Sequence, residues 1–123
     1  MNKRFDFLLE EILEHDFDVQ QEDGNVYLIS NFSPCGQDCN ASIDTENDAA
    51  RFVENIREYA NDFDVSYEAY LWLDDMGHGK NGAPYDMRDV YDDMQWWKDS
   101  LEELADALEN ALNEYDDSQE ENV

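Results

Sequence analysis

Apolar side chains near the start of the chain recur with the period of a one-sided helix. Residues 3–15 place them at positions i, i+3, i+4 and i+7, which predicts a short amphipathic helix. The residues on this face are Phe5, Leu8, Leu9, Ile12 and Leu13. Because a short helix owes most of its stability to packing, it needs a partner surface, which we expect in the segment that follows.

Three segments after this helix alternate apolar and polar positions, as half-buried strands do. They cover residues 17–22, 25–32 and about 39–44. Asp23-Gly24 is a two-residue turn favoured in hairpins, and residues 33–36 favour a turn before the third segment. The predicted sheet is therefore a three-stranded antiparallel meander.

Helical periodicity returns in the next part of the chain. Thr45 followed by Asp48 resembles a capping box, with Asp in place of the usual Glu, and predicts a helix that ends near Asn61. In residues 66–76 we favour a short helix over a strand, because few of these residues are β-branched, and Ser66 is its candidate cap. The side chains expected to pack are Tyr67, Tyr70, Leu71, and Leu73 or Met76.

The longest predicted element begins after Pro84, with Asp86 and Asp89 placed to cap it, and is about 45 Å long at 1.5 Å per residue. A heptad-like seam runs along it. Its members are Met87, Val90, Met94, Trp97, Leu101, Leu104, Leu108, Ala111 and Tyr115. Because this helix is longer than the small body before it, we expect one part to dock across the sheet and another to meet a second subunit in a homodimer.

The predicted fold class is α+β, in the order helix, three-stranded antiparallel β meander, helix, short helix and long C-terminal helix. Hydrophobic residues make up 41% of the chain and aromatic residues 13%, which is enough for a core. We expect a single acidic domain over residues 1–115, followed by an acidic flexible tail over residues 116–123.

The charge of the chain is strongly one-sided. It has 33 Asp and Glu residues against 7 Lys and Arg, which gives a formal net charge of -26. Direct binding to nucleic acid or to an anionic membrane requires a basic face, so neither partner is expected. Asp6, Glu10 and Glu11 interrupt the first apolar run before it reaches the form of a secretion signal, and no stretch has the length of a membrane span. We therefore expect a cytoplasmic protein.

Candidate catalytic and ligand-binding motifs are weak. Residues 77–82, GHGKNG, match the G-x-G-x-x-G phosphate loop, but no βαβ unit precedes them and Pro84 separates them from the helix, so a glycine-rich connector is favoured. Cys35 and Cys39 would need two more ligands to hold zinc, and both histidines are far away in the sequence, so we expect ordinary thiols. No Ser-His-Asp or Cys-His arrangement is apparent. We expect no enzymatic activity, no cofactor and no metal site.

Carboxylates cover the predicted outer face of the long helix, where neighbours at i+3 or i+4 lie about 5 to 6 Å apart. Like-charge pairs at i+4 cost about 0.2 to 0.5 kcal/mol each. These pairs include Asp89 with Asp93, Asp99 with Glu103, and Glu102 with Asp106. Trp96 cannot face the core together with Trp97, so it lies on or near the acidic face, either as a binding anchor or covered by the amino-terminal helix or a second subunit. The predicted partner-binding residues are Asp89, Asp92, Trp96, Asp99, Glu102, Glu103, Asp106 and Glu109.

Like-charge pairs lower the stability of the fold, so the acidic face needs an explanation. Three explanations give the face a function, and in the fourth the face has none. The face imitates nucleic acid, docks on a basic partner of another kind, keeps the protein soluble in high salt, or is simply solvated. Duplex DNA carries about 26 phosphates over 45 Å, whereas residues 86–115 have ten acids and two bases. Imitation of DNA would therefore need a second subunit or further acidic residues. The candidates are Glu10, Glu11, Glu14, Glu54, Glu58, Asp74 and Asp75.

Two parts of the chain resemble small acidic proteins of mobile genetic elements. The order helix, three-stranded antiparallel sheet, helix over about residues 3–61, with DGNVYLIS as the second strand and NDAARFVENI as the next helix, resembles that of some small acidic anti-CRISPR proteins, which block the DNA-reading groove of Cas9. The stretch GKNGAPYDMRDVYDDMQWWKDSLEELADAL, residues 79–108, resembles the C-terminal part of small acidic proteins carried by phages and conjugative elements near anti-restriction genes. The resemblance implies a role against host nucleases. The long C-terminal helix departs from the short anti-CRISPR pattern, so no particular target is implied.

These features together lead to one expected function and one alternative. The leading expectation is a non-enzymatic, DNA-mimic inhibitor that occupies the DNA-binding surface of a basic partner, a host defence nuclease of the CRISPR or restriction type. The alternative is an acidic immunity or antitoxin-like protein that neutralises one basic toxin through a compact hot spot. Adaptation to high salt ranks third.

Overall fold

The helices and strands follow the predicted order. The computed structural model describes residues 3–34, 38–76 and 87–121, and none of the helices in these ranges is both long and apolar enough to cross a membrane. Its elements are α1 (Lys3–Glu14), β1 (Asp18–Asp23), β2 (Val26–Phe32), β3 (Asp38–Asp44), α2 (Ala49–Asp62), α3 (Val65–Met76) and α4 (Met87–Glu121). The predicted α+β class is confirmed. The GHGKNG motif, Cys35, Pro84 and Asp86 lie outside the described residues.

One antiparallel sheet carries the strands in the order β1-β2-β3, as predicted. The fully buried Ile29 pairs with Val19 on β1 and with Ala41 on β3. Cys39, a thiol, and Ile43 are also buried on the inner side of β3. Helix α1 contacts β1 and helix α2 contacts β3, so the helices cover this face of the sheet.

The hairpin turn between β1 and β2 lies one residue later than predicted. Asp23 pairs with Val26, so the loop consists of Gly24 and Asn25 rather than Asp23-Gly24. The backbone of Gly24 has φ 55°, a region that glycine adopts without steric cost, and its carbonyl accepts a hydrogen bond from Gln21 Nε2 at 2.7 Å. A register shift between Gln21 and Asp23 accommodates the extra residue in β1.

The predicted caps of α2 and α3 are wrong by a few residues. Asp48, not Thr45, is the N-cap of α2, and its side chain accepts from the backbone N–H groups of Ala50 and Arg51. Thr45 is buried, and its hydroxyl accepts from Asn47 N at 3.1 Å in the preceding turn. A threonine followed by an acidic residue three positions later fits both a capping box and a short turn closed by the threonine hydroxyl. The buried Thr45 forms the turn.

Helix α3 begins one residue before its predicted cap. The Asp64 carboxylate accepts from the Tyr67 backbone N–H at 3.1 Å, so Asp64 caps the helix in place of Ser66. Val65 and Ala69 are the buried side chains in the first half of α3, whereas Tyr67 and Tyr70 are 57% and 62% exposed. The prediction that these two tyrosines pack in the core is wrong, because both face solvent. The side chains of Leu71, Leu73 and Met76 lie outside those that the structure describes.

Helix α4 has 35 residues, which corresponds to a length of about 52 Å. It packs chiefly on α1, α2 and α3, whereas the strands are contacted by α1 and α2. The prediction that α4 docks across the sheet is therefore wrong in its main part. The apolar seam, from which a homodimer was predicted, is buried within one chain, and the homodimer itself stays a prediction. The buried apolar residues of α4 are Val90, Met94, Trp97, Leu101, Leu104, Ala105, Leu108 and Leu112.

The predicted seam drifts near the end of α4. Ala111 and Tyr115 are only half-buried, whereas Ala105 and Leu112 are buried. A straight α-helix drifts by about 20° per heptad relative to a strict seven-residue repeat, so the buried stripe moves to neighbouring positions after several turns.

The C-terminal end of α4 also runs further than predicted. The helix continues to Glu121, so residues 116–121, expected as tail, are helical. Arg4 donates two hydrogen bonds to the Asp116 carboxylate, at 2.9 and 3.0 Å, and Phe7 stacks on Tyr115 with ring centroids 4.7 Å apart. These contacts with α1 hold the helix at a point where its own sequence offers only polar residues.

We expect the corrected cap of α2 to be visible in the free energy of unfolding. Asp48→Ala should lower it by about 1 kcal/mol, because two backbone N–H groups lose their acceptor. The matched control is Asp62→Ala, which removes the same charge from the opposite end of α2, where a carboxylate opposes the helix dipole; its effect should be neutral or stabilising. Urea unfolding of both variants measures this, and equal losses would contradict the assignment of Asp48 as the cap.

Candidate partner-binding surface

Four of the predicted binding residues form one continuous row on α4. Asp92, Asp99, Glu103 and Asp106 are all exposed. At 3.6 residues per turn they fall within an arc of about 60° opposite the buried seam. We call these four residues the acidic ridge. The other predicted residues lie on its two flanks.

The flank that faces α2 is partly neutralised by Arg57. Its guanidinium donates to Asp106 Oδ1 at 2.9 Å, to Glu109 Oε2 at 2.6 Å and to Glu54 Oε2 at 3.1 Å. The hydrogen bonds that Arg57 donates to Asp106 and then to Glu109 raise the pKa of Arg57 above its usual value. One cation therefore gathers three carboxylates at the junction of α2 and α4.

Lys98 has a similar position further along the same flank. Its Nζ donates to the Ala60 carbonyl in the last turn of α2 and lies 3.4 Å from Glu102 Oε1. A cation is favourable at a helix C-terminus, where the carbonyls carry partial negative charge. Glu102 is half-buried beside it and is therefore less available to a partner than the ridge, whereas Glu109 is exposed but, like Asp106, pairs with Arg57.

The opposite flank, towards the end of α1, carries Asp89 and Trp96. Both are half-buried. Trp96 stacks on Trp97 with ring centroids 6.2 Å apart and packs at the edge of the core, next to His15 and Asp16. Trp96 is therefore partly covered by the core and partly open to the cavity that it lines with His15 and Asp16. Asp89 lies in the first turn of α4, where the helix dipole favours a carboxylate.

Asp93 is the acidic residue that sequence reasoning misplaced. It is only 3% exposed, and its carboxylate accepts a hydrogen bond from the Ser33 hydroxyl at 2.6 Å, which ties the start of α4 to the end of β2. The predicted repulsive surface pair Asp89 and Asp93 is therefore wrong. The signal was present, because Asp93 lies three residues after Val90 and four before Trp97, on the buried face.

Among the predicted like-charge pairs, Asp99 and Glu103 are the pair in which both residues belong to the acidic ridge. Neither of them forms a salt bridge with Lys or Arg among the described residues, whereas Asp106 pairs with Arg57 and Glu102 with Lys98. Asp99 accepts a hydrogen bond from Gln95 Nε2 at 2.9 Å, which is a neutral donor. The ridge thus keeps its negative charge in its central part.

Further exposed acids extend the negative surface beyond α4. Glu54 and Glu58 on α2 and Glu10 and Glu14 on α1 are exposed, whereas Glu11 is half-buried and lies 3.9 Å from His15. The side chains of Asp74 and Asp75 lie outside those that the structure describes. Most of the acids that were expected to supplement α4 therefore reach solvent on neighbouring helices.

Two cavities at the end of α1 share one wall, and Trp96 lines the second of them. The first, which we call the Phe32 cavity, has a volume of about 410 Å³ and is bordered by Leu13 and Phe32; the second, the Trp96 cavity, has about 430 Å³. Leu13 is 53% exposed and Phe32 is 68% exposed, so the prediction that Leu13 is buried with the rest of α1 is wrong. The residues common to both cavities are Asp16, Phe17 and Asn31.

The shared wall is built by the C-terminal turn of α1. Phe17 N donates to the Ile12 carbonyl at 3.3 Å, and Asp16 N donates to the Leu13 carbonyl at 3.1 Å. This is the Schellman pattern, in which the residue after the helix adopts the left-handed conformation, and Asp16 does so with φ 68°. Glycine is the usual residue there, so no clear sequence pattern indicates that Asp16 ends the helix and turns the chain into β1.

We expect the excess carboxylate charge to destabilise the fold at low ionic strength. The screening length shortens from about 30 Å at 0.01 M salt to about 8 Å at physiological salt, so added NaCl weakens repulsion along the ridge. The melting temperature should therefore rise between about 0.01 and 0.5 M NaCl in calorimetry. A flat or falling curve would mean that the native state already compensates these charges.

The comparisons with known proteins leave the fold and the surface as the basis for assigning function. No protein-family profile matches the chain, and no curated protein and no solved structure matches it either.

Proposed function

We propose that this protein is a non-enzymatic inhibitor that acts in the cytoplasm by occupying the DNA-binding surface of a host defence nuclease. The observation that carries the proposal is the acidic ridge, a row of exposed carboxylates whose centre keeps its charge. The resemblance of the chain to anti-CRISPR and anti-restriction proteins agrees with this function. A nuclease supplies the complementary basic groove, since it must bind phosphates.

The linear charge density of the ridge supports a partial imitation of DNA. Four carboxylates between Asp92 and Asp106 span about 21 Å, or one charge per about 7 Å, whereas each strand of duplex DNA has one phosphate per 3.4 Å. The ridge alone thus offers about half the charge of one strand. The exposed acids of α1 and α2 add to it, while Arg57 and Lys98 reduce the charge of the α2 flank.

An immunity or antitoxin-like function is the second candidate, and a specific observation favours it. The two cavities at the end of α1 offer the compact, partly apolar site on which tight protein pairs concentrate their binding energy. In that function one basic toxin would be recognised through few anchors rather than through a row of charges.

The two functions predict different distributions of binding loss. After the target nuclease is captured from host lysate and identified by mass spectrometry, its affinity is measured for Asp92→Asn, Asp99→Asn and the double variant. For DNA imitation we expect each single change to weaken binding by about 2- to 5-fold, the double change to combine both losses, and the slope of log Kd against log salt to fall by about one per charge. Asp106 is avoided because its loss would also release Arg57.

Asp23→Asn is the matched control, because it removes one exposed carboxylate from the sheet edge and should leave the affinity unchanged. Trp96→Ala tests the second candidate. A loss of 2 kcal/mol or more on this single change, with little effect of Asp92 and Asp99, would favour the immunity-like function and contradict the imitation of DNA.

A further inference from the structure

Two large apolar side chains are exposed next to a half-buried tryptophan, at the end of α1. Leu13 and Phe32 are among the most exposed large hydrophobic residues of the described chain, and both border the Phe32 cavity. Trp96 borders the neighbouring cavity, which shares a wall with the first. Three apolar groups within one pair of cavities form a surface that water solvates poorly and a partner would cover favourably.

Acidic residues border the same cavities. Asp16 and Asp18 line the Phe32 cavity, and Asp16 and Glu103 line the Trp96 cavity. No Lys or Arg is among the described residues that line either one. The occupant must therefore supply positive charge together with apolar surface.

Asp16 lines both cavities, in a position that is unfavourable for its charge. Its backbone is left-handed, with φ 68°, a conformation that aspartate adopts more often than most residues other than glycine. It also places an exposed carboxylate at the C-terminus of α1, where the helix dipole is negative. An unfavourable charge at an exposed position that lines both cavities supports a role in binding.

We infer that the two cavities form a docking site for a basic protein segment, in which an arginine side chain enters the Trp96 cavity and a neighbouring apolar side chain covers Leu13 and Phe32. Tryptophan is the aromatic ring that binds a cation best, and arginine both stacks on rings and pairs with carboxylates such as Asp16 and Glu103. The inference rests on the proposed function only in taking the partner to be basic.

A second copy of this chain is a poor occupant on electrostatic grounds. Each copy has a formal net charge of -26, so it would bring further carboxylates to a border that is already acidic. A nucleic acid is excluded for the same reason. Charge complementarity selects a basic protein segment.

The test uses a blocked peptide of alternating arginine and leucine, and its counterpart with uncharged citrulline in place of arginine. The readout is the indole N–H signal of Trp96 in ¹H–¹⁵N spectra of the full chain, assigned through its loss in Trp96→Phe. We expect the arginine peptide to shift this signal in a saturable manner, and the citrulline peptide to leave it unchanged.

Variants then separate the site from bulk charge. Asp16→Asn should weaken binding of the arginine peptide by about 5-fold or more, while the melting temperature stays constant or rises, because Asn tolerates the left-handed backbone and carries no charge. Asp117→Asn is the matched control, since it removes an exposed carboxylate near the far end of α4 and should change the affinity by less than about 2-fold.

The docking site is wrong if the Trp96 signal stays in place at saturating peptide, or if Asp16→Asn and Asp117→Asn weaken binding equally. It is also wrong if the signal moves with protein concentration alone while light scattering reports a doubled mass, since a second copy then fills the cavities. These results test the cavities, and of the four ridge residues only Glu103 lines one of them. Loss of nuclease binding in Asp99→Asn would still support the proposed function, so the two proposals fail separately.

Discussion

The burial of the apolar seam of α4 determines the rest of this structure. Met94, Trp97, Leu101 and Leu108 pack on the other three helices within one chain. Because the helical period is fixed, burying these residues turns the positions between them towards solvent. In a chain with 33 acidic residues those positions are largely carboxylates, so forming the core and exposing the acidic ridge are one event.

The neighbouring helices decide which of these carboxylates remain free to act. Arg57 from α2 pairs with Asp106 and Glu109, and Lys98 pairs with Glu102 while it caps α2 through the Ala60 carbonyl. These contacts offset repulsion where two helices meet, and they leave the middle of the ridge charged. The acidic surface is therefore partly neutralised where α4 meets α2, and it stays negative in the middle of the ridge, where a partner would approach.

The sequence predicted those parts of the fold that depend on local periodicity. The seven elements and the antiparallel order of the strands follow from apolar spacing and turn residues, and they are confirmed. The hairpin turn and the caps of α2 and α3 were misplaced by one to three residues for local reasons, and the larger errors arose where contacts between distant segments decide. Arg4 and Phe7 extend α4 past residue 115, and Ser33 draws Asp93 into the interior. The contacts that extend α4 have no signature in the neighbouring sequence, whereas the burial of Asp93 could have been predicted from its position between Val90 and Trp97 in the helical period.

Local periodicity also predicted part of the candidate site, and contacts between distant segments decided the rest. The ridge residues Asp92, Asp99, Glu103 and Asp106 follow from the helical period alone and are exposed as expected. The division of the stripe into a ridge and two flanks was missed, because it depends on Arg57, which is 49 residues from Asp106. The cavities at the end of α1 were missed as well, since a glycine-type helix end occupied by Asp16 has no clear sequence signal.

The measurement that tests the central claim most directly is competition between duplex DNA and this protein for the captured nuclease. If the acidic ridge occupies the DNA-binding surface, the apparent Kd of the complex must rise in proportion to the concentration of duplex, because one site cannot hold both. If saturating duplex leaves the apparent Kd unchanged, the two bind at separate sites, and imitation of DNA is wrong for that nuclease even where inhibition persists.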